Sequence, residues 1–189
     1  LTDSDKNVAV GYVALSSDTQ GSRSVAIGHS ALGNQNFSSA TDSNNVAVGF
    51  FAGEDMTVGI KNTIVGNQAG EKLTDADFNV AIGFDALSTD TLGSRSTAVG
   101  YQALGTQNFT TAAATQNTAV GFQSGFDLTT GTNNTFLGGD SGANITTGSK
   151  NTIIGHYHGN QHSLDIRTSS NHIVLSDGDG YPNLFITSS

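Results

Sequence analysis

One pentapeptide recurs along this chain, and its spacing restricts the possible folds more than any other feature. The motif is Asn or Ser, then Val or Thr, then Ala, Ile or Phe, then Val, Ile or Leu, then Gly. Its glycines fall at Gly11, Gly28, Gly49, Gly66, Gly83, Gly100, Gly121, Gly138 and Gly155. Successive intervals are 17, 21, 17, 17, 17, 21, 17 and 17 residues, so the series repeats after 72. Asn7–Gly53 and Asn79–Gly125 share 28 identities in 47 positions, which marks a duplicated four-coil unit over 7–78 and 79–150. Self-similarity at a fixed short period is the signature of a stacked repeat in which each unit buries its apolar face only against its neighbours.

The local pattern is that of a strand. Val8, Val10, Tyr12 and Ala14 alternate with Ala9, Gly11 and Val13, which puts the two sets on opposite faces. The first row is the more apolar in most copies and is expected to line the coil interior. The smaller second row is expected to admit another backbone at close range. Seventeen residues suit one coil with two short strands and two turns, stacked at ~4.8 Å. The fold predicted is all-β: a parallel β-roll or β-solenoid of about nine to ten coils over residues 1–160. Residues 161–189 are expected to form a C-terminal capping or connecting segment, because Ile173–Leu175 and Leu184–Ile186 flank the turn-rich Asp177-Gly178-Asp179-Gly180-Tyr181-Pro182-Asn183. The motif glycines mark positions without room for a Cβ, and the Asn that opens most motifs suits a coil-to-coil hydrogen-bonded ladder.

Composition narrows the function. Seven Lys and Arg stand against sixteen Asp and Glu, for a net charge of −9, and the basic residues are scattered along the sequence. Nucleic acid and anionic membrane surfaces are therefore poor partners. Cys is absent, so disulfides and thiolate metal sites are excluded. No apolar run approaches the ~20 residues of a membrane helix, and insertion by this segment is not expected. Because the chain opens at Leu1 without Met, it is expected to be a piece of a larger or processed product. Isolated carboxylates such as Asp42, Asp55, Asp75, Asp85 and Asp140, with no Ser/His/Asp set or phosphate loop, give no enzymatic constellation.

Asn-Val-Ala-Val-Gly-Tyr-Val-Ala, Ser-Val-Ala-Ile-Gly-His-Ser-Ala and Ser-Thr-Ala-Val-Gly-Tyr-Gln-Ala resemble the head repeats of trimeric autotransporter adhesins. That resemblance implies a left-handed parallel β-roll, three chains side by side, and adhesion. The C-terminal segments Leu164–Arg167 and Ile173–Gly180 are similar to parts of phage tail fibre and appendage proteins. The coils here are longer than those of the adhesins and no stalk heptads follow, which favours a homotrimeric virion fibre. Its expected partners are a host cell-surface glycan or protein and other fibre or tail proteins. The alternatives are the head of an adhesin on a bacterial cell surface and a tailspike-type polysaccharide depolymerase, with an ice-binding solenoid behind them.

Two groups of residues are candidates for more than scaffolding. The 21-residue coils carry their extra residues around Leu32–Phe37 and Leu104–Phe109. There Gln35, Asn36, Phe37, Gln107, Asn108 and Phe109 either grip a receptor through amides and rings or tuck the two Phe inward as anchors. His156 and His158, with His162 near, form the other group. Three chains about an axis would offer six imidazoles to one transition-metal ion, an arrangement that resembles the His-x-His iron sites of some phage tail fibres. The opposing reading is neutral packed or exposed His with no carboxylate partner. Asp177–Gly180 lacks the further oxygen ligands of a calcium loop, and turn chemistry explains it better.

Overall fold

The computed structural model describes residues 6–187 and, among them, contains no helix. In chain order the strands are β1 (Val8–Val10), β2 (Gly21–Ser22), β3 (Val25–Ile27), β4 (Thr41–Asp42), β5 (Val46–Val48), β6 (Thr63–Val65), β7 (Val80–Ile82), β8 (Gly93–Ser94), β9 (Thr97–Val99), β10 (Ala113–Ala114), β11 (Thr118–Val120), β12 (Thr135–Leu137), β13 (Thr152–Ile154), β14 (His172–Ser176) and β15 (Pro182–Thr187). One sheet runs β1-β3-β5-β6-β7-β9-β11-β12-β13-β14-β15, and two small sheets pair β2 with β4 and β8 with β10. All pairs are parallel except the last, β14 with β15. The chain is thus a parallel β-solenoid of about ten turns, on the order of 45 Å long at ~4.8 Å per strand.

The ladder register reproduces the sequence period. Val8 pairs with Val25, Val25 with Val46, Val46 with Thr63 and so on, each Gly stacking on the next. One boundary differs from expectation. Thr152 pairs with Ile173, a further step of 21, so β14 belongs to the stack and the repeat extends past residue 160. His172 and Ser176 stand where earlier coils have Asn and Gly, and those two substitutions hide the coil. His172 still donates its backbone N–H to Asn151 Oδ1 at 3.0 Å, as a repeat Asn would.

The facing of the strands is the reverse of that expected. The buried row is Ala26, Ala47, Ile64, Ala81, Ala98, Ala119, Phe136, Ile153 and Val174, all fully buried. The Val and Thr rows lie outside, with Val10 56% and Leu137 47% exposed. The physical reason is volume. A coil this short has walls only one or two side chains apart, so the small residue of each strand goes in and the branched ones go out. Wall and turn then compensate each other. Ala26, Ala81 and Ala98 belong to coils whose turns supply buried Leu32, Leu87 and Leu104, whereas Ile64 and Phe136 sit against Gly70 and Gly142. A Cβ on Gly142 would lie 2.6 Å from Phe136 Cδ1.

Coil-to-coil contact is fixed by Asn and Gly together. Asn62 Oδ1 accepts the backbone N–H of Asn79 at 2.9 Å, while its Nδ2 donates to Ala76 O at 2.8 Å. Asn45, Asn79, Asn134 and Asn151 repeat the scheme, so each carboxamide bonds the next backbone and closes a turn. The ladder is therefore side chain to backbone, more than amide to amide. At Gly83, φ is +134°, and an added Cβ would be 2.6 Å from the Gly100 carbonyl carbon and closer still to its oxygen.

Gly83→Ala should therefore cost more than about 3 kcal/mol in urea melts. Asp85→Gly, two residues away at φ 54°, should stay within about 1 kcal/mol, since glycine accepts that backbone freely. Similar midpoints for the two variants would contradict the stacking described.

Candidate functional site

With the small row inside, the outer face of the long sheet is built from three rows. Val8, Val25, Val46, Thr63 and their successors form one, and Val10, Ile27, Val48, Val65 and theirs the second. The residue after each repeat Gly forms the third: Tyr12, His29, Phe50, Asn67, Phe84, Tyr101, Phe122, Gly139 and His156. No Lys, Arg, Asp or Glu occurs in any of the three. Stacking at one strand spacing sets the rings on one another. Phe84 and Tyr101 are 5.6 Å apart and 10° from parallel, and Tyr101 and Phe122 are 5.2 Å and 8°. At the other end, His29 lies 5.2 Å from both Tyr12 and Phe50. The result is an exposed aromatic row, broken at Asn67 and Gly139, on an uncharged and largely apolar strip along the first nine coils.

The two long coils do not offer their glutamines to a receptor, which corrects the expectation for Gln35 and Gln107. Both are fully buried. Gln35 Nε2 donates to Asp18 Oδ2 at 2.7 Å, and Gln35 Oε1 accepts from Asn45 Nδ2 at 2.8 Å. Seventy-two residues on, Gln107 bridges Asp90 Oδ2 and Asn117 Nδ2 in the same way. Asp90 Oδ1 also accepts the N–H groups of Gly93 and Phe109. Burial pushes the Asp90 carboxyl upward from its ordinary pKa, against these hydrogen bonds. Phe37 and Phe109 are buried as well and anchor the long coils from within. Asn36 and Asn108 are exposed and accept from Thr19 and Thr91 hydroxyls one coil away.

The insertion itself lies later than the sequence suggested. Thr19 meets Asn36 at an offset of 17, but Gly21 pairs with Thr41 at 20, so three of the four extra residues enter within Phe37–Ala40, and by the same register within Phe109–Ala112. Their exposed tips are Ser38-Ser39-Ala40 and Thr110-Thr111-Ala112.

His156 and His158 are brought together with a carboxylate that the sequence reading left isolated. Asp140 Oδ2 is 3.3 Å from His156 Nε2, and the two imidazoles are 4.7 Å apart at 76°. One donor atom from each of the three lies within 4.8 Å of the others. The sequence held the signal, since residues 17 apart stack and Asp140 is 17 before Tyr157, between the two His. Desolvation, then the His156 neighbour, lowers the His158 pKa, and Asp140 opposes them. His162 takes no part in this cluster. It stacks on Tyr181 at 3.5 Å, with its Nε2 3.4 Å from Asp179 O. Asp177 closes its turn by accepting the N–H groups of Asp179 and Tyr181, and these bonds, Tyr181 first, hold its carboxyl below the ordinary range.

The period also gathers basic residues that are scattered in sequence. Lys6, Arg23, Lys61, Arg95 and Lys150, five of seven, occupy the one position that precedes each motif, all at positive φ. Arg23 pairs with Asp42 at 2.9 Å in the next coil. Compared with known proteins, the chain matches no family model, no curated protein and no solved structure.

The long-coil network makes a stability prediction. Asp90→Ala strands the Gly93, Phe109 and Gln107 donors and should cost about 2–4 kcal/mol, whereas Asp90→Asn, which keeps an acceptor, should cost less. An acid whose folded pKa is raised subtracts stability when ionised, and that loss vanishes as pH falls through the folded value. Wild type should therefore gain on Asp90→Asn as urea melts are moved from pH 7 into the acid range. Equal pH slopes for the two proteins would contradict this.

Proposed function

We propose that this chain is a structural and adhesive module of a homotrimeric fibre, of the kind a phage tail or virion appendage uses for attachment to a host surface. The observation that carries the reading is the uncharged outer face. Three residues wide and nine coils long, it exposes on the order of 500 Å² of largely apolar surface, the most that a lone soluble chain commonly leaves bare. A second and third copy, packed with their solenoid axes parallel, cover such a strip along its whole length and turn a thin-cored rod into a stiff one. The motif's resemblance to adhesin head repeats supports the same arrangement. In this reading the β14–β15 pair ends the stack as a capping hairpin, since an antiparallel return stops the parallel ladder from continuing.

Attachment falls to what the assembly leaves outside. The tips at Ser38–Ala40 and Thr110–Ala112, with Asn36 and Asn108 beside them, are exposed hydroxyls and amides repeated at 72 residues. Three chains present six such tips, so weak contacts to a cell-surface glycan or protein add through avidity.

Native mass measurement should give three chains at micromolar concentration, and Tyr101→Asp with Phe122→Asp should weaken that assembly by about 30-fold or more while the circular dichroism stays β. A monomeric wild type, or a variant that assembles as well as wild type, defeats the proposal. Binding to bacterial cells by the purified trimer, lost when Asn36 and Asn108 are changed to Ala together with the tip hydroxyls, tests the adhesive part separately.

A further inference from the structure

We propose that Asp140, His156 and His158 bind one divalent transition-metal ion within each chain, of the class that takes imidazole nitrogen and carboxylate oxygen together, such as zinc, cobalt or nickel. Among the described residues, no other set of three His, Asp or Glu places its donor atoms this close together.

The local chain has been altered to make the cluster. In the preceding coils the third residue after the repeat Gly is small and buried: Ala52, Ala69, Ala86, Ala103, Ser124, Ser141. In the ninth coil that place holds His158, half-buried, and the residue before it, Tyr157, is fully buried instead. The hydrogen bonds show the slip. Gly125 donates its N–H to Ser141, the third residue of the next coil, but Gly142 donates to Tyr157, the second. The turn is one residue tighter, Tyr157 goes inward, and His156 and His158 on either side of it come out together beside Asp140 of the coil before. Tyr157 is pinned by its hydroxyl, which donates to Leu164 O at 2.7 Å. His158 is held by its own N–H, donated to Gln161 Oε1 at 2.8 Å. A pair of ligands mounted on a buried anchor has little freedom left to lose on binding.

The imidazoles also lack what buried polar atoms ordinarily have. His156 Nδ1 and His158 Nε2 are both shielded from solvent and have no hydrogen-bond partner. An unpaired buried nitrogen is costly, and a metal ion satisfies it directly. Two nitrogens and one carboxylate suit borderline ions. Calcium and magnesium, which want six or more oxygens, are poorly served by a single carboxylate. Three protein ligands leave positions for water on the exposed side. The ligands come from two successive coils, so the ion cross-links them.

The site needs no second chain, and its test is independent of assembly. Purified protein titrated with Co²⁺ and with Zn²⁺ should bind one ion per chain by calorimetry, with visible d–d absorption for cobalt, and zinc should raise the melting temperature. His156→Ala and His158→Ala should each weaken binding by more than the ~10–100-fold that loss of an outer-shell partner costs. Asp140→Asn, which keeps the shape, should weaken it as well, and His162→Ala should leave it unchanged. Melts without metal show whether each variant is folded. No saturable binding, one ion per three chains, or binding that survives in a folded His156→Ala, His158→Ala double variant overturns the site.

Discussion

A single carboxamide per coil sets the geometry from which the rest follows. The repeat Asn has two jobs at once: Oδ1 takes the N–H of the next coil's Asn, and Nδ2 takes a carbonyl of its own turn, fourteen residues on. The first bond fixes the vertical register and the second closes the turn, fourteen residues on in the 17-residue coils and eighteen on in the 21-residue coil that Asn151 opens. Ser24 and Ser96 replace Asn in two coils and are too short to span the turn. There the circumference is 21 residues, Ser24 Oγ itself accepts the N–H of Asn45, and the buried Asp18–Gln35–Asn45 and Asp90–Gln107–Asn117 chains tie the enlarged turns together. The buried Asp, Gln and Asn side chains of these chains are tolerated because they pair with one another.

With register and circumference fixed, side-chain volume decides what faces in. The interior takes an Ala from the wall with a Leu from the turn, or an Ile or Phe from the wall with a Gly from the turn, and where Ala47 and Ala119 meet Gly53 and Gly125 the larger side chains of adjacent coils, Leu32, Ile64, Leu104 and Phe136, reach in. Val, Thr and aromatic residues at the alternate positions are left outside by exclusion rather than by polarity. An apolar exterior is thus a consequence of the narrow core.

Much of this was legible in the sequence, and the parts that were not have physical reasons. The 17/21 period gave the ladder register, because parallel stacking requires equal positions to meet. Strand alternation separates two faces but does not say which is inside. Hydrophobicity pointed to Val8 and Val10, whereas the coil's width chose Ala26 and Ala47. Gln35 and Gln107 looked like exposed loop amides because a side chain's partners, here a buried Asp and Asn in neighbouring coils, are invisible along the chain. The tenth coil was hidden by His172 and Ser176. Asp140 looks isolated along the chain, because its partners are stacked neighbours: the period places it between His156 and His158.

The same division of labour explains how one scaffold carries several surfaces. Changing a repeat Gly or Asn disturbs two coils at once, because each contacts the backbone of the next. The residue just after the Gly meets no such demand. It is Tyr, His, Phe, Asn or Gly in successive coils, and all are compatible with one backbone. Chemistry can therefore be written into that row, or into the insertion tips, without disturbing the ladder beneath. The ninth coil shows the limit of this freedom. Bringing His156 and His158 out together took a change in the turn itself, with Tyr157 moved inward to fill the place of a small residue. The cluster that alters the scaffold lies next to the last parallel strand and its antiparallel return, where the stack itself changes.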